Sequence, residues 1–130
     1  MARGDQRCSC QCHWNWGWLD GAFEPRTISP TDIDCMFFVE RRNEIVLVET
    51  KHLGEELSVG QEKLLRNFST KPGCCSIVLW GPRSEPQEMR ICQGGEWQKK
   101  RRVSRDGVYK LAKRWCDFAN GKIDDPCNYD

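Results

Sequence analysis

The strongest constraint on how this chain can fold is a pair of short apolar runs, residues 36–39 (MFFV) and 45–48 (IVLV), separated by the polar, turn-compatible Arg41, Arg42 and Asn43. Runs of four are strand-length and short for a buried helix, and the second is rich in β-branched residues. Joined by a tight turn, they predict an antiparallel hairpin. A loop of two to four residues centred near Arg42 and Asn43 makes paired positions sum to about 84 or 85. That register sets Asp34 opposite Thr50 or Lys51 and diagonal to Glu49, so two carboxylates and an ammonium group meet at one end of the hairpin.

Glu49 and Lys51 are two apart and therefore project from the same face of their strand. Neighbouring carboxylates repel and raise each other's pKa unless a cation lies between them. Oxygen-only donors suit Mg²⁺ or Mn²⁺, and Mg²⁺ typically takes one or two carboxylates with water and substrate phosphate completing its shell. Lys51 would then stand beside the bound water, where it orients that water or offsets charge developing on a phosphate.

Asp34, then Glu49-Thr50-Lys51, then a helix opening at Gly60-Gln61 resembles the PD-(D/E)xK nuclease superfamily. The longer string, Pro30-Thr31-Asp32-Ile33-Asp34 leading through the hairpin to Glu49, Lys51 and Gly60-Gln61, is similar to small phage-encoded members. The resemblance covers about residues 30–80. It implies a restriction-endonuclease-like α/β fold, with a mixed sheet, an antiparallel hairpin and flanking helices. It also implies that Asp34 and Glu49 bind a catalytic Mg²⁺ or Mn²⁺, that Lys51 assists the attacking water, and that a polar residue on the following helix, Gln61, supports the site. The implied activity is hydrolysis of phosphodiester bonds, with DNA favoured over RNA as the substrate.

Plainer readings stand beside these. Glu49 and Lys51 also suit a solvated strand end. Asp32 follows Pro30 and suits a turn, where Asp bonds its own backbone; it falls beyond the paired strand, which ranks Asp34 above it. Ser58-Val59-Gly60-Gln61 fits the S-x-x-Q capping box, in which the Gln side chain returns to the cap's backbone.

The length of 130 residues suits one domain with one core. Within it fall a Cys/Trp-rich segment (1–24), the motif-bearing core (30–80), and a basic segment with a final helix (98–119). Hydrophobic residues make up 38%; counting Gly and leaving out Tyr brings this to about 45%, close to the globular norm. A net charge of +1 points to no partner globally, so a nucleic-acid surface must be a local patch. With polar and charged residues at the start and apolar runs of only four or five, neither a signal peptide nor a membrane span is expected, and the expected location is cytoplasmic, the host cytoplasm for a phage-encoded chain. Nine cysteines, an odd number, favour reduced thiols or metal ligation over a disulfide framework.

Cys8, Cys10, Cys12 and His13 lie within six residues. Zinc usually draws on two separated pairs with two to four residues inside each, so a structural Zn²⁺ here would need distant partners such as Cys116 or Cys127. Surface thiols are the alternative. Trp14, Trp16 and Trp18 alternate ahead of Leu19 and Phe23, a cluster suited to capping the core or to stacking on unpaired bases.

Downstream, a Ser58-capped helix is predicted through about Phe68, with Leu64, Leu65 and Phe68 on its apolar side. His52 has no partner for nucleophile chemistry. Lys71-Pro72-Gly73 ends the helix, and residues 74–80 (CCSIVLW) form a third, central strand parallel to the one bearing Glu49. Residues 88–92 and 96–98 around Gly94-Gly95 predict a smaller edge hairpin. Between Gln98 and Arg114, eight cations stand against Asp106 alone, a net +7 suited to a phosphate backbone. Ser104 caps the last helix, which turns Val108, Leu111, Ala112, Trp115 and Ala119 to the core. The expected protein is a metal-dependent nuclease, with a homodimer left open. The alternatives are an inactive nuclease-fold module that binds nucleic acid and a zinc-stabilised interaction protein.

Overall fold

The computed structural model describes residues 16–19, 21–24 and 33–124. After a 3-10 turn at Gly17–Leu19, strands β1 (Cys35–Val39) and β2 (Glu44–Lys51) form the hairpin. Helix α1 (Val59–Ser69) leads to β3 (Cys74–Trp80), and then come β4 (Glu88–Gln93), β5 (Glu96–Trp97), β6 (Arg101–Arg102) and helix α2 (Arg105–Ala119). The strands lie in the order β1-β2-β3-β4-β5, with β6 also pairing β4. β2 and β3 run parallel and the other pairs antiparallel, giving a mixed, mostly antiparallel α/β architecture. The apolar β3 occupies the middle, and α1 is the crossover that lets it run parallel to β2.

The hairpin register differs from the expected one. Pairs run from Cys35↔Val48 to Val39↔Glu44, so paired numbers sum to 83. The cause is the loop, which is the four residues Glu40 to Asn43, with the Asn43 N–H donating to Glu40 O at 3.0 Å. Asn43 adopts φ 57°, a left-handed conformation that Asn tolerates better than most residues. Centring the loop between Arg41 and Arg42 slides β1 by one or two residues, so Asp34, one step before β1, extends the ladder opposite Glu49.

Alternation along β2 and β3 assigns Leu47, Glu49, Lys51, Ser76, Val78 and Trp80 to one face. Leu47, Val78 and Trp80 form a core with Leu65 of α1, flanked by Leu57, Phe68 and Trp97. The Ser76 hydroxyl donates to Leu65 O at 2.8 Å, and the Ser69 hydroxyl lies 3.2 Å from Cys92 Sγ, so α1 is fastened to β3 and β4. On the other face Val46, Val48, Met89 and Ile91 are buried. α2 spans the sheet from Ser84, whose carbonyl accepts from Arg105, to the hairpin loop, where the Arg42 guanidinium lies 4.6 Å from the Phe118 ring centroid.

Several apolar residues are not where their pattern suggested. Met36, Phe37 and Phe38 are exposed because β1 is the outermost strand in the order, and Leu64 and Ala112 face outward on their helices. Trp16 and Trp18 pack on each other, with ring centroids 6.4 Å apart, and both stay exposed rather than capping the core. No helix among the described residues is long and apolar enough to cross a membrane.

Gly73, the residue before β3, has φ 77°, and a Cβ there would lie 2.5 Å from Asn43 O. Its own carbonyl accepts the Ile45 N–H at 2.7 Å, so it can move away only by breaking the start of the β2–β3 ladder. Gly73→Ala is expected to lower stability by about 1–3 kcal/mol, the usual cost of a strained left-handed non-glycine residue, read as a lower urea midpoint at unchanged slope.

Candidate active site

Glu49 lies near the end of β2 on the face covered by α1, one alternation beyond the buried Leu47. Among the described residues Gln61 reaches it, and the same side chain closes the capping box of α1 that the S-x-x-Q spacing suggested. Its Oε1 accepts the Ser58 N–H at 3.1 Å, and its own N–H donates to Ser58 Oγ at 3.1 Å, completing the capping box. Its Nε2 donates to Glu49 Oε2 at 3.0 Å. The two ends of the amide do different jobs at once: the cap fixes the rotamer, and the fixed rotamer presents a donor to the carboxylate. A Glu at this position would serve the cap but repel Glu49.

Asp34 is held differently. Its Oδ2 accepts the Thr50 N–H at 2.9 Å and the Thr50 hydroxyl at 3.1 Å. The side chain continues the β1–β2 ladder past the end of β1, with a carboxylate oxygen in place of a backbone carbonyl. Thr50 lies between Glu49 and Lys51 in sequence, and the Asp34 carboxylate is anchored at the edge of β2 at that residue. Its hydrogen bonds are to Thr50, and Thr50 itself points to the sheet face opposite Glu49. Thr50 is a site residue that the sequence reading passed over, because the middle of an E-x-K triplet carries no signal of its own.

Lys51 is only 12% exposed in its side chain, and its Nζ lies 3.6 Å from Glu55 Oε2. Glu55 belongs to a tight turn: its N–H donates to His52 O at 3.0 Å, and its Oε1 accepts the His52 N–H at 3.0 Å. The indole Nε1 of Trp80 donates to Glu55 O at 2.6 Å and ties this turn to the core. Sequence reading missed Glu55; the signal was its i+4 distance from Lys51 within a Gly54-containing turn. The His52 N–H, and after it the Lys51 ammonium, hold the Glu55 carboxyl below its ordinary pKa. A depressed folded-state pKa means a stabilising contribution that is full above the ordinary carboxylate value and is lost as pH falls through the folded value. Glu55→Gln is therefore expected to be slightly less stable than the parent at neutral and alkaline pH and to converge with it in acid, flattening the acid limb, which urea unfolding at a series of pH values measures. The effect is small, since Glu55 is 47% exposed and well screened.

Asp34 and Glu49 offer oxygen donors only, from the ends of adjacent strands. Among the described residues no group of three or more His, Cys, Asp and Glu side chains is placed to hold a metal ion. The oxygen donors described at this end of the hairpin are two carboxylates, Asp34 fixed on Thr50 and Glu49 on Gln61. That number suits Mg²⁺, which takes the rest of its shell from water and phosphate, and the hardness of the donors fits it. A small pocket lined by Glu49, Gln61 and the apolar Ile33, Leu47, Val48, Leu64 and Leu65 sits against the Glu49 carboxylate, so its surroundings are mainly hydrocarbon. Asp32 and the candidate zinc ligands Cys8, Cys10, Cys12, His13 and Cys127 lie outside the described residues; Cys116 is exposed.

The basic stretch does not form a single helical face. Lys99 to Arg102 precede α2, on and beside β6, while Arg105, Lys110, Lys113 and Arg114 lie along α2. Among the described residues, Lys100 lies 3.6 Å from Glu88, Arg105 3.7 Å from Glu85 and Lys110 3.1 Å from Asp106. No family model, curated protein or solved structure matches the chain. The reading of the site therefore rests on its geometry.

Proposed function

We propose that this chain is a metal-dependent nuclease of the PD-(D/E)xK type, with a restriction-endonuclease-like arrangement of its mixed sheet, that hydrolyses phosphodiester bonds of DNA. The observation that carries this reading is the clustering at the end of β2. Glu49 and Lys51 share one face, and Asp34 is tied to the residue between them by two hydrogen bonds. The β1–β2 hairpin followed by the α1 crossover to a parallel β3 supports the fold assignment.

Asp34 and Glu49 would hold Mg²⁺ or Mn²⁺, and such an ion supplies activation of water near neutral pH and neutralisation of charge on the phosphate. The chain's own residues do the rest. Gln61 fixes the Glu49 carboxylate through Nε2, and Thr50 fixes Asp34 through its N–H and hydroxyl. Lys51, nearly buried and charged, stands where it can orient the attacking water and offset the negative charge that builds on the phosphoryl oxygens. Water attacks phosphorus in line with the scissile P–O bond, that bond breaks, and the leaving oxygen departs as a hydroxyl after taking a proton.

The test is cleavage of end-labelled single-stranded, duplex, nicked and branched DNA in Mg²⁺ or Mn²⁺ by the parent protein and by Glu49→Ala. Cleavage by the parent that falls to background in Glu49→Ala is the expected result. Equal products from both proteins, or none from the parent on any substrate, would overturn the assignment. Binding without cleavage would instead identify a nucleic-acid-binding module built on this fold.

A further inference from the structure

The sheet registers place cations in a line that the one-dimensional sequence does not show. Lys51 of β2 pairs with Trp80 of β3, Trp80 pairs with Glu88 of β4, and Glu88 pairs with Arg102 of β6. Residues in register on neighbouring strands project to the same face, so Lys51 and Arg102 stand at opposite ends of one cross-strand row. Between them the Lys100 ammonium lies 4.1 Å from the centroid of the Trp80 ring and 3.6 Å from Glu88 Oε1. With strands about 4.8 Å apart, three strand steps span about 14 Å, close to four nucleotides at a rise of about 3.4 Å each.

Resting on the nuclease reading above, we infer that the substrate's sugar–phosphate strand leaves the Glu49–Lys51 corner across β3 and β4 to β6, held by the row Lys51, Lys100 and Arg102. The row begins at the residue assigned to the chemistry, so a strand lying along it enters the site without turning. Arg102 is exposed and makes no ion pair with a described residue, which leaves its planar fork for a phosphate. Lys100 and Glu88 are partly exposed, and an exposed pair of this kind is worth little, so a phosphate can replace the carboxylate at small cost. The residues flanking Lys100 and Arg102, Lys99 and Arg101, are exposed and cationic too, giving β6 and the two residues before it four cations in a row. Along α2, by contrast, Arg105 is occupied by Ser84 O and Glu85, and Lys110 and Lys113 lie on a helix that follows β6 and has no place in the cross-strand row. The contact is to phosphate, so the row supplies affinity and direction and no base preference.

The experiment is fluorescence anisotropy of labelled single-stranded DNA and RNA oligonucleotides of one sequence with the full-length protein, in EDTA so that no cleavage intervenes, across a series of KCl concentrations. The parent is expected to bind with log affinity falling linearly in log salt. Lys100→Ala/Arg102→Ala should weaken binding about 10-fold or more and reduce the salt slope by about 1.4, about 0.7 per phosphate contact on a single strand, whereas Lys110→Ala/Lys113→Ala should change neither. Lys100 also packs on Trp80, so Arg102→Ala alone serves as the variant without a described contact to lose; it should reduce the slope by about 0.7. Unchanged binding in both β6 variants, a larger loss from the α2 pair, or no binding by the parent would overturn the inference. A parent that cleaves DNA while the β6 variants bind normally would sink the row and leave the nuclease standing. A parent that binds through β6 and never cleaves would do the reverse.

Discussion

Lys51→Ala is expected to lower the single-turnover rate of DNA cleavage by about 10²- to 10³-fold, the loss typical when one preorganised group facing developing charge is removed. The size of the effect follows from how Lys51 is held. Its side chain is 12% exposed, its Nζ is 3.6 Å from Glu55 Oε2, and the turn that carries Glu55 is pinned through its backbone carbonyl by Trp80. An ammonium group already placed in a poorly hydrated corner needs little reorganisation when charge appears on a phosphate, so its removal falls on kcat rather than on KM. Lys51→Arg tests the geometry separately. It keeps the charge but replaces a compact ammonium with a longer planar fork, and it should recover only part of the rate. A Lys51→Ala protein that cleaves at the parent's rate would remove Lys51 from the mechanism.

The largest expected effect on stability is at Trp80. Only 3% of its surface is exposed, and it packs with Leu47, Leu65 and Val78 under α1. Trp80→Ala removes that volume from the core and strands the Glu55 carbonyl, which accepts from the indole at 2.6 Å. Together these predict a loss of about 3–5 kcal/mol, measured as a fall in the urea midpoint at constant slope. Trp80→Phe retains most of the hydrocarbon contact and loses the donor, so about 1–3 kcal/mol of the effect should appear there. Because Trp80 also lies beneath Lys100 and ties down the turn beside Lys51, the Phe variant should keep more activity than the Ala variant under conditions where both are folded. Equal stability of Trp80→Ala and the parent would mean that the core is not where the structure puts it.

These outcomes are coupled through one small region, and the coupling was not visible along the chain. Gln61 could be assigned a capping role from Ser58 three residues earlier and a supporting role from its place after the E-x-K triplet. That one amide both caps α1 and donates to Glu49 depends on α1 lying over β2, with Nε2 free to turn toward Glu49 while Oε1 stays on the cap. The row from Lys51 to Arg102 needs three separate strand registers to be known together. Met36, Phe37 and Phe38 read as one strand of a hairpin; that this strand lies at the sheet edge with exposed side chains on both faces follows from the strand order.

The amino-acid sequence by itself determined the features that depend on neighbours a few residues apart. These are the strand runs at 36–39, 45–48 and 74–80, the Ser58 and Ser104 caps, the breaks at Gly73 and Gly94-Gly95, and the shared strand face of Glu49 and Lys51. Backbone preference, capping hydrogen bonds and side-chain period act over that range. Only the tertiary structure decided that the hairpin pairs at a sum of 83, that Asp34 hangs from Thr50, and that Glu55 faces Lys51. Each of these depends on where a loop closes, and a slip of one residue in a loop changes every cross-strand partner while leaving local preferences untouched.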